Sequence, residues 1–492
     1  MEDKKIVILG GSTAGLLTAL WVRKNIPNAD IKVIDDKNKR GVGVGESTTL
    51  QFRSLLNELE IDISKYIHET DATIKNGISF IDWNGDGKSF FHPFGEDIAD
   101  LGENNNFINQ KEVYLKHLIK NQENFDDYVY CNYITNKDKV DLTHIHWALH
   151  IDNQKSIKFF EKICVERNIE IVFDVFRGVK KDKDNCIKTI ICKNQNYKSD
   201  FVFDCSGLSS VINKNVYKSE WEDFYYIPTN RAITFSLEVE EKIKPYTECT
   251  AMDDGWMWKI PTRNRIGGGY VFSDKYSEDD DIIKQINNYY GDRVEIGKKI
   301  SFYNGCYKNI WNKNCVSLGL SSGFIEPLEA TGLLIFAQQL ILLQNYINRL
   351  FTLEDLVIKN YNQVNYSLVR SVSEFICLHY YTSKRMSGNF WKEYKNIELP
   401  QDFIEQFNLL KSNNMNFYDL FYHKSIHGYS VENYIHVAYG KEFIENNESS
   451  DNRVSYNEKE YKNTMKKLDV YIAKDHKKTL NKISEEVNKR DV

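Results

Sequence analysis

The stretch Lys5-Ile6-Val7-Ile8-Leu9, running into Gly10-Gly11-Ser12-Thr13-Ala14-Gly15, constrains the fold more than any other. A short apolar run rich in β-branched residues meets a glycine turn, and Leu16 to Arg23 then reads as a helix. A second apolar run, Asp30-Ile31-Lys32-Val33-Ile34, ends at Asp35. Strand, glycine turn, helix, strand and acid in that order form a dinucleotide-binding unit. Its glycines let backbone N–H groups approach a pyrophosphate, and the helix N-terminus adds a partial positive charge. An acid about 20 residues past the turn is placed to bind a ribose hydroxyl. Gly10, Ser12, Thr13, Ala14, Gly15 and Asp35 are therefore the expected nucleotide contacts. Ser12 stands where the fingerprint has its middle glycine.

The chain has 492 residues, enough for a large α/β enzyme, and 41% hydrophobic content, enough for a sizeable core. A net charge of −6 gives no reason to expect a nucleic-acid partner. Nine scattered cysteines without a Cys-x-x-Cys pair suit reduced thiols and a cytoplasmic setting. The first strand starts at residue 5, so no signal peptide is expected. The longest apolar run, Leu333 to Leu343, contains two glutamines and is too short to span a bilayer. No membrane association is expected.

Beyond the first unit, Gly41 to Thr48 forms a second glycine-rich loop, which reads as either a strap over a cofactor or a surface loop. Within Asp71 to Trp83 the second half alternates apolar and polar like a half-buried strand, with Lys75 at its mouth, and Lys88 to Gly95 reads as another short strand. Residues 96 to 145 are polar and read as an insertion. Phe201 to Asp204, entering Cys205-Ser206-Gly207, fits a parallel sheet resuming after that insertion. From Arg231 the pattern is that of an antiparallel sheet, and residues 353 to 440 read as mostly helical. Asn446 to Asn452 reads as a disordered polar break. Apolar residues at helical spacing follow it (Tyr461, Met465, Leu468, Ile472, then Leu480, Ile483, Val487). They read as a peripheral amphipathic helix or as a homo-oligomer contact.

Three stretches carry candidate chemistry. Trp256 and Trp258 lie two apart in a strand that ends at Pro261, so both indoles share one face. Lys75 among apolar residues either snorkels outward or, if buried, becomes a donor or amine nucleophile. Glu329, with Thr331 and Gly332, precedes a long helix expected from Leu333 to about Leu350. The amides of Thr331 and Gly332 then make an anion site, unless Thr331 simply caps the helix. The His144/His146 and His423/His427 pairs lack a third ligand, so no metal is expected.

Together these stretches resemble the flavin-dependent halogenases, the group that includes the tryptophan halogenases. The resemblance covers residues 5 to about 395. It rests on Gly10 to Gly15, Gly43-Val44-Gly45-Glu46-Ser47-Thr48, Lys75-Asn76-Gly77-Ile78 with Phe80 and Trp83, and His92-Pro93-Phe94-Gly95. It rests also on Asp204 to Gly207, on Trp256-Met257-Trp258-Lys259-Ile260-Pro261 and on Phe324 to Gly332. Leu378 to Thr382 and Phe390-Trp391 extend it into the helical region. Ala330 stands where the family usually has serine.

The resemblance implies an α/β fold: an FAD-binding, hydroxylase-type Rossmann-like core with an inserted antiparallel sheet near 225–310, within a module spanning 1–350. A helical substrate-covering region (351–445) and a charged helical tail (446–492) would follow. It implies FAD, used as FADH2 from a separate flavin reductase, and a halide ion. Gly43, Val44, Gly45, Glu46, Ser47, Leu318, Leu328, Gly332 and Leu333 would join the cofactor contacts. Thr331 and Gly332 would hold the halide, and Trp256, Trp258 and Pro261 would keep a small aromatic substrate from the flavin. Lys75 and Glu329 would be catalytic: Lys75 would hold hypohalous acid, by a hydrogen bond or as a haloamine, for electrophilic attack on the substrate ring, and Glu329 would polarise it or take the ring proton. The absence of a second nucleotide fingerprint agrees with there being no NADH site. An FAD-dependent aromatic hydroxylase, or a flavoprotein without activity, is the competing expectation.

Overall fold

A computed structural model describes residues 4–37, 45–95, 110–415, 419, 428–445 and 458–490. The N-terminal unit forms as its sequence dictates: Lys5–Leu9, the helix Thr13–Asn25, and Asp30–Asp35. These strands lie in a six-stranded sheet ordered Trp311–Asn312, Cys315–Ser317, Phe201–Asp204, Lys5–Leu9, Asp30–Asp35, Glu170–Phe173. All are parallel but the first, which runs antiparallel to its neighbour. From the Lys5–Leu9 strand the chain first builds one side of the sheet, then returns to build the other. That reversal is a topological switch point, where ligands of open α/β sheets bind at the C-terminal strand ends. The ends there are in register: Cys205 N–H donates to Leu9 O at 2.8 Å, and Leu318 N–H to Asp204 O at 2.9 Å.

A second sheet has seven strands, ordered Val294–Ser301, Arg231–Leu237, Ile266–Phe272, Gly255–Pro261, Tyr246–Met252, Gly77–Ile81, Ser89–Pro93. The expected inserted sheet is thus not self-contained. It takes in two strands from near the N-terminus, one of them, Gly77–Ile81, pairing in parallel with Tyr246–Met252. Between the two large sheets stands a small one of Gly45–Ser47, Ala148–Asp152 and Thr73–Lys75. The strand expected in the second half of Asp71 to Trp83 forms as Gly77–Ile81, and Lys75 closes a separate short strand before Asn76. The Asn76 N–H donates to Pro245 O at 2.7 Å, and its carbonyl accepts from Phe94 N–H at 3.0 Å. Lys75 ends one sheet and Gly77 begins another, so the lysine sits in the seam.

The polar stretch read as an insertion is built into the core where it is described. It forms helices Gln110–Lys120, Phe125–Tyr128 and Tyr130–Thr135, and buries Leu115, Leu118 and Ile119. The apolar helix runs Thr331–Gln344, earlier at both ends than expected, and is followed by the 27-residue helix Asp355–Tyr381. The tail forms two helices, Glu458–Tyr471 and His476–Arg490, whose apolar residues Tyr461, Met465, Leu480 and Val487 are buried against the chain itself. His144 and His146 lie in a turn and the irregular residues after it, not on a strand face. Gly43, Val44, the polar break at 446–452, His423 and His427 lie outside the described residues. No described helix is long and apolar enough to cross a membrane, and no described group of three or more His, Cys, Asp or Glu is arranged to hold a metal.

Candidate active site

At the switch point the Gly10 backbone has φ of 107°, a conformation that L side chains rarely adopt. A Cβ at Gly10 would lie 2.3 Å from the Cys205 carbonyl oxygen, and one at Gly15 would lie 1.8 Å from the Gly10 oxygen. Only glycine lets the turn, the adjoining strand end and the helix meet this closely. Asp35 is buried and accepts from the Gly11 N–H at 3.1 Å, which ties the acid to the turn. Ser12 is the N-cap of the helix in extended conformation and makes no capping bond, so the first helical amides keep their donors free of a local cap. Gly319 closes the far side, its Cβ position 3.4 Å from the Ala14 methyl. A backbone cradle at a helix N-terminus fits the pyrophosphate of a dinucleotide.

Hydrogen bonds link that turn to the strap. Thr13 Oγ1 donates to Asn153 Oδ1 at 3.0 Å, and the Asn153 amide donates to Glu46 at 2.5 Å. Burial pushes the Glu46 carboxyl up to about 7, the Asn153 bond opposing it. Ser47 Oγ lies 3.1 Å from Thr247 Oγ1.

The strap ends on the lysine. Lys75 Nζ donates to the Thr48 carbonyl at 3.2 Å and stands 4.7 Å from the centroid of the Phe94 ring. The side chain is fully buried. Burial lowers its pKa to about 8, the charge of Glu329 opposing the drop. Of the two readings of Lys75, the outward snorkel is excluded.

Glu329 sits in a tight turn that presents it inward. Glu329 (φ 63°, ψ 14°) and Ala330 (φ 60°, ψ 36°) are consecutive left-handed residues, each costing roughly 1–2 kcal/mol. Two buried contacts hold the turn. The Thr331 hydroxyl donates into the Ile325 and Glu326 carbonyls, at 3.0 and 2.9 Å. Glu326 is itself buried and accepts from Thr229 and from the Tyr380 hydroxyl, at 2.7 Å for the latter. Burial pushes Glu326 up to about 7 against those bonds. Ala330, not Thr331, is the N-cap of the Thr331–Gln344 helix, and it has no side-chain capping bond. The Thr331 side chain is thus spent on the turn, and the first amides, those of Thr331 and Gly332, have no acceptor within the helix.

The Glu329 carboxylate has two histidine partners. Its Oε1 lies 2.8 Å from His92 Nδ1 and 3.0 Å from His379 Nε2. His379 Nδ1 faces the Phe375 carbonyl at 2.8 Å, which can only accept, so Nδ1 carries a hydrogen. Its Nε2 then meets Glu329 either as an N–H or as a base facing a protonated acid. The pair holds one shared proton in either case and titrates as a unit. Burial alone would raise Glu329, but the charge of His92 and the hydrogen bonds from both rings hold it well below the usual carboxylate range. Sequence reasoning gave His379 no role. The available signal was a histidine on the same stretch of helix as Val372, Phe375 and Ile376. Lys441, buried near the end of the Val431–Gly440 helix, donates to the His379 carbonyl at 3.1 Å. It too was invisible to spacing.

The two tryptophans share a face, their ring centroids 6.1 Å apart. Trp258 lies flat on the neighbouring strand because residue 269 is glycine: a Cβ there would fall 2.0 Å from the indole. Thr73 Oγ1 donates to the Pro261 carbonyl at 2.6 Å, joining the tryptophan strand to the lysine strand. Trp256 packs in one core with Ile325 and Leu328. Leu318 and Leu328 are buried, Leu333 half-buried.

Comparison with known proteins follows from this geometry. A family profile described as tryptophan halogenase matches residues 5–454. An uncharacterised protein of Sinorhizobium fredii is 29% identical over 418 residues, 81% of each chain. The tryptophan 6-halogenase ThaL of Streptomyces albogriseolus is 28% identical over 429 residues, 80% of each chain. Among solved structures, a flavin-dependent halogenase from Xanthomonas campestris superposes with a TM-score of 0.86 at 22% identity, covering 98% of both chains. At that identity the likeness shows a shared fold.

Proposed function

Because the chain belongs to the tryptophan halogenase family of flavin-dependent enzymes, we propose that it uses reduced FAD, O2 and a halide to halogenate an electron-rich aromatic or indole-type small molecule. The observation that carries this reading is Lys75. It is a fully buried amine, tethered to the strap through Thr48 and within the field of a buried carboxylate that a strained turn presents to the same space.

The Gly10–Gly15 turn would bind reduced FAD from a separate reductase, which with O2 would supply the oxidising power that converts halide to hypohalous acid. The turn, Asp35, the Glu46–Ser47 strap, Leu318, Leu328 and Leu333 hold the cofactor. The amides of Thr331 and Gly332 hold the halide at a helix N-terminus, where a partial positive charge favours an anion. Trp256, Trp258 and Pro261 wall the aromatic substrate off from that oxidant. Lys75 holds hypohalous acid by donating a hydrogen bond to its oxygen. The ring attacks the halogen, the oxygen–halogen bond breaks, and the oxygen takes a proton from the Lys75 ammonium and leaves as water. Glu329 accepts the proton lost from the ring, with His379 and His92 setting how many protons the group holds. Acid–base roles of this kind contribute roughly 10²- to 10⁴-fold each.

The test supplies reductase, NADH and FAD with chloride, bromide or iodide in turn, against a panel of indoles, phenols and anilines. Halogenated product from at least one pair is expected. Hydroxylated product with every halide would replace this reading with that of a hydroxylase. The turn has its own check: Gly15→Ala drives a methyl group into the Gly10 carbonyl. Overpacking of about 1–3 kcal/mol should weaken FAD binding by about 10- to 100-fold in a fluorescence titration. Unchanged affinity would move the cofactor elsewhere.

A further inference from the structure

Thr73–Lys75 pairs with Ala148–Asp152 on one side only, which leaves its other edge to be satisfied from elsewhere. At Asn76 that edge is closed by the Pro245 carbonyl, but at Ile74 the partner is a side chain from 402 residues away. The Ile74 N–H donates to His476 Nε2 at 3.1 Å, and His476 Nδ1 donates to the Ile243 carbonyl at 2.9 Å. The imidazole thus bridges two backbones that run too far apart to pair directly. A backbone N–H can only donate and a carbonyl can only accept. The ring is therefore neutral, with its hydrogen on Nδ1.

Its placement is well supported. His476 is buried and opens the His476–Arg490 helix. The two residues before it, Lys474 and Asp475, pair with Lys139–Val140, and its own N–H donates to the Asp138 carbonyl at 3.1 Å. Further along the helix, Ser484 accepts from Arg263 at 2.6 Å, and Leu480 is buried in one core with Ile67 and Ile74. Burial brings the imidazole down to about 4, which agrees with the neutral form. The family match ends at residue 454, so this contact lies beyond it.

We propose that His476 is a positioning residue for Lys75: through the Ile74 amide, the terminal helix fixes the strand that sets the height of the lysine amine in the seam. The proposal rests on the role given to Lys75 above. A displaced amine would still leave hypohalous acid formation at the flavin intact. It would fail to hold the acid for the substrate, and a misplacement of about 1 Å can cost on the order of 100-fold.

The test measures how halogen is partitioned between the aromatic substrate and a soluble β-diketone trap, with reduced FAD and bromide, in four variants. A purely structural defect lowers both products together, whereas a displaced lysine lowers the ratio. His476→Phe keeps the ring shape without either hydrogen bond, and should bind FAD and brominate the trap while the substrate share falls about 10- to 100-fold. His476→Gln keeps one acceptor and one donor and should restore most of the ratio. If the phenylalanine variant fails to fold, His476→Asn serves in its place, since its shorter side chain can reach Ile243 but not Ile74. Lys75→Ala runs in parallel. If it loses substrate bromination while His476→Phe or His476→Asn keeps the wild-type ratio, the His476 proposal falls alone. If Lys75→Ala itself keeps the ratio, the role of Lys75 falls, and the proposal with it.

Discussion

Lys75→Met is expected to abolish aromatic halogenation while making the protein more stable. The amine is fully buried, and its pKa drops from 10.5 to about 8 because burial penalises the charged form more than Glu329 favours it. Its folded pKa lies below its unfolded one, so the unfolded chain holds the proton more tightly. Below pH 8 both states are charged and the full penalty, roughly 3 kcal/mol, falls on the fold. Between pH 8 and 10.5 the folded lysine loses its proton first, and wild-type stability rises with pH. Methionine has a similar volume and no charge. Urea unfolding should show the variant more stable by about 2–3 kcal/mol at pH 7, with the gap closing as pH rises toward 10.5. Halogenation should fall by at least 10²- to 10⁴-fold with FAD binding unchanged. A stability gain paired with loss of chemistry would mark a residue retained for function. A variant less stable than wild type at every pH would instead make Lys75 a structural member of the seam.

Glu329→Gln is expected to fail in the opposite manner, losing both activity and stability. Glutamine keeps the shape but not the charge, and Oε1 is the atom that meets both His92 and His379. The amide oxygen can still accept hydrogen bonds from the rings, but the shared proton no longer has a carboxylate charge beside it. About 2–4 kcal/mol of stability should be lost near neutral pH. The folded pKa of Glu329 is depressed from 4.5, so its contribution is present above that value and is lost as pH falls through and below it. The difference between wild type and variant should therefore shrink in acid. Aromatic halogenation should fall 10²- to 10⁴-fold, and flavin affinity should hold. A variant with wild-type turnover would remove Glu329 from the chemistry.

The nucleotide turn was legible because its requirements are local: strand, glycine, helix and acid lie within about 30 residues, and each element has its own period or turn signal. Lys75 and Glu329 stood out from their settings, but only family resemblance chose between the readings open for each. Whether a lysine is buried depends on what covers it, and here Thr48 and Phe94 lie against the amine. The separate Thr73–Lys75 strand was missed because the break after it, at Asn76, is set by a distant carbonyl, that of Pro245. The stretch after Gly95 was read as an insertion because it is polar and rich in Asn and Asp, yet apolar residues of the Gln110–Lys120 helix reach the core. His379, Asn433 and His476 act through tertiary contacts that no spacing encodes. His92 Nε2, for example, meets Asn433 Oδ1 at 2.9 Å across 341 residues.

The central claim is that this fold oxidises halide and passes it to an aromatic ring through Lys75. Mass spectrometry of the aromatic product formed from reduced FAD, O2 and bromide, with wild type and Lys75→Ala side by side, tests it most directly. The account predicts a product carrying the bromine isotope doublet from wild type and none from the variant. A product that gains oxygen but no bromine, or equal bromination by both proteins, would contradict it.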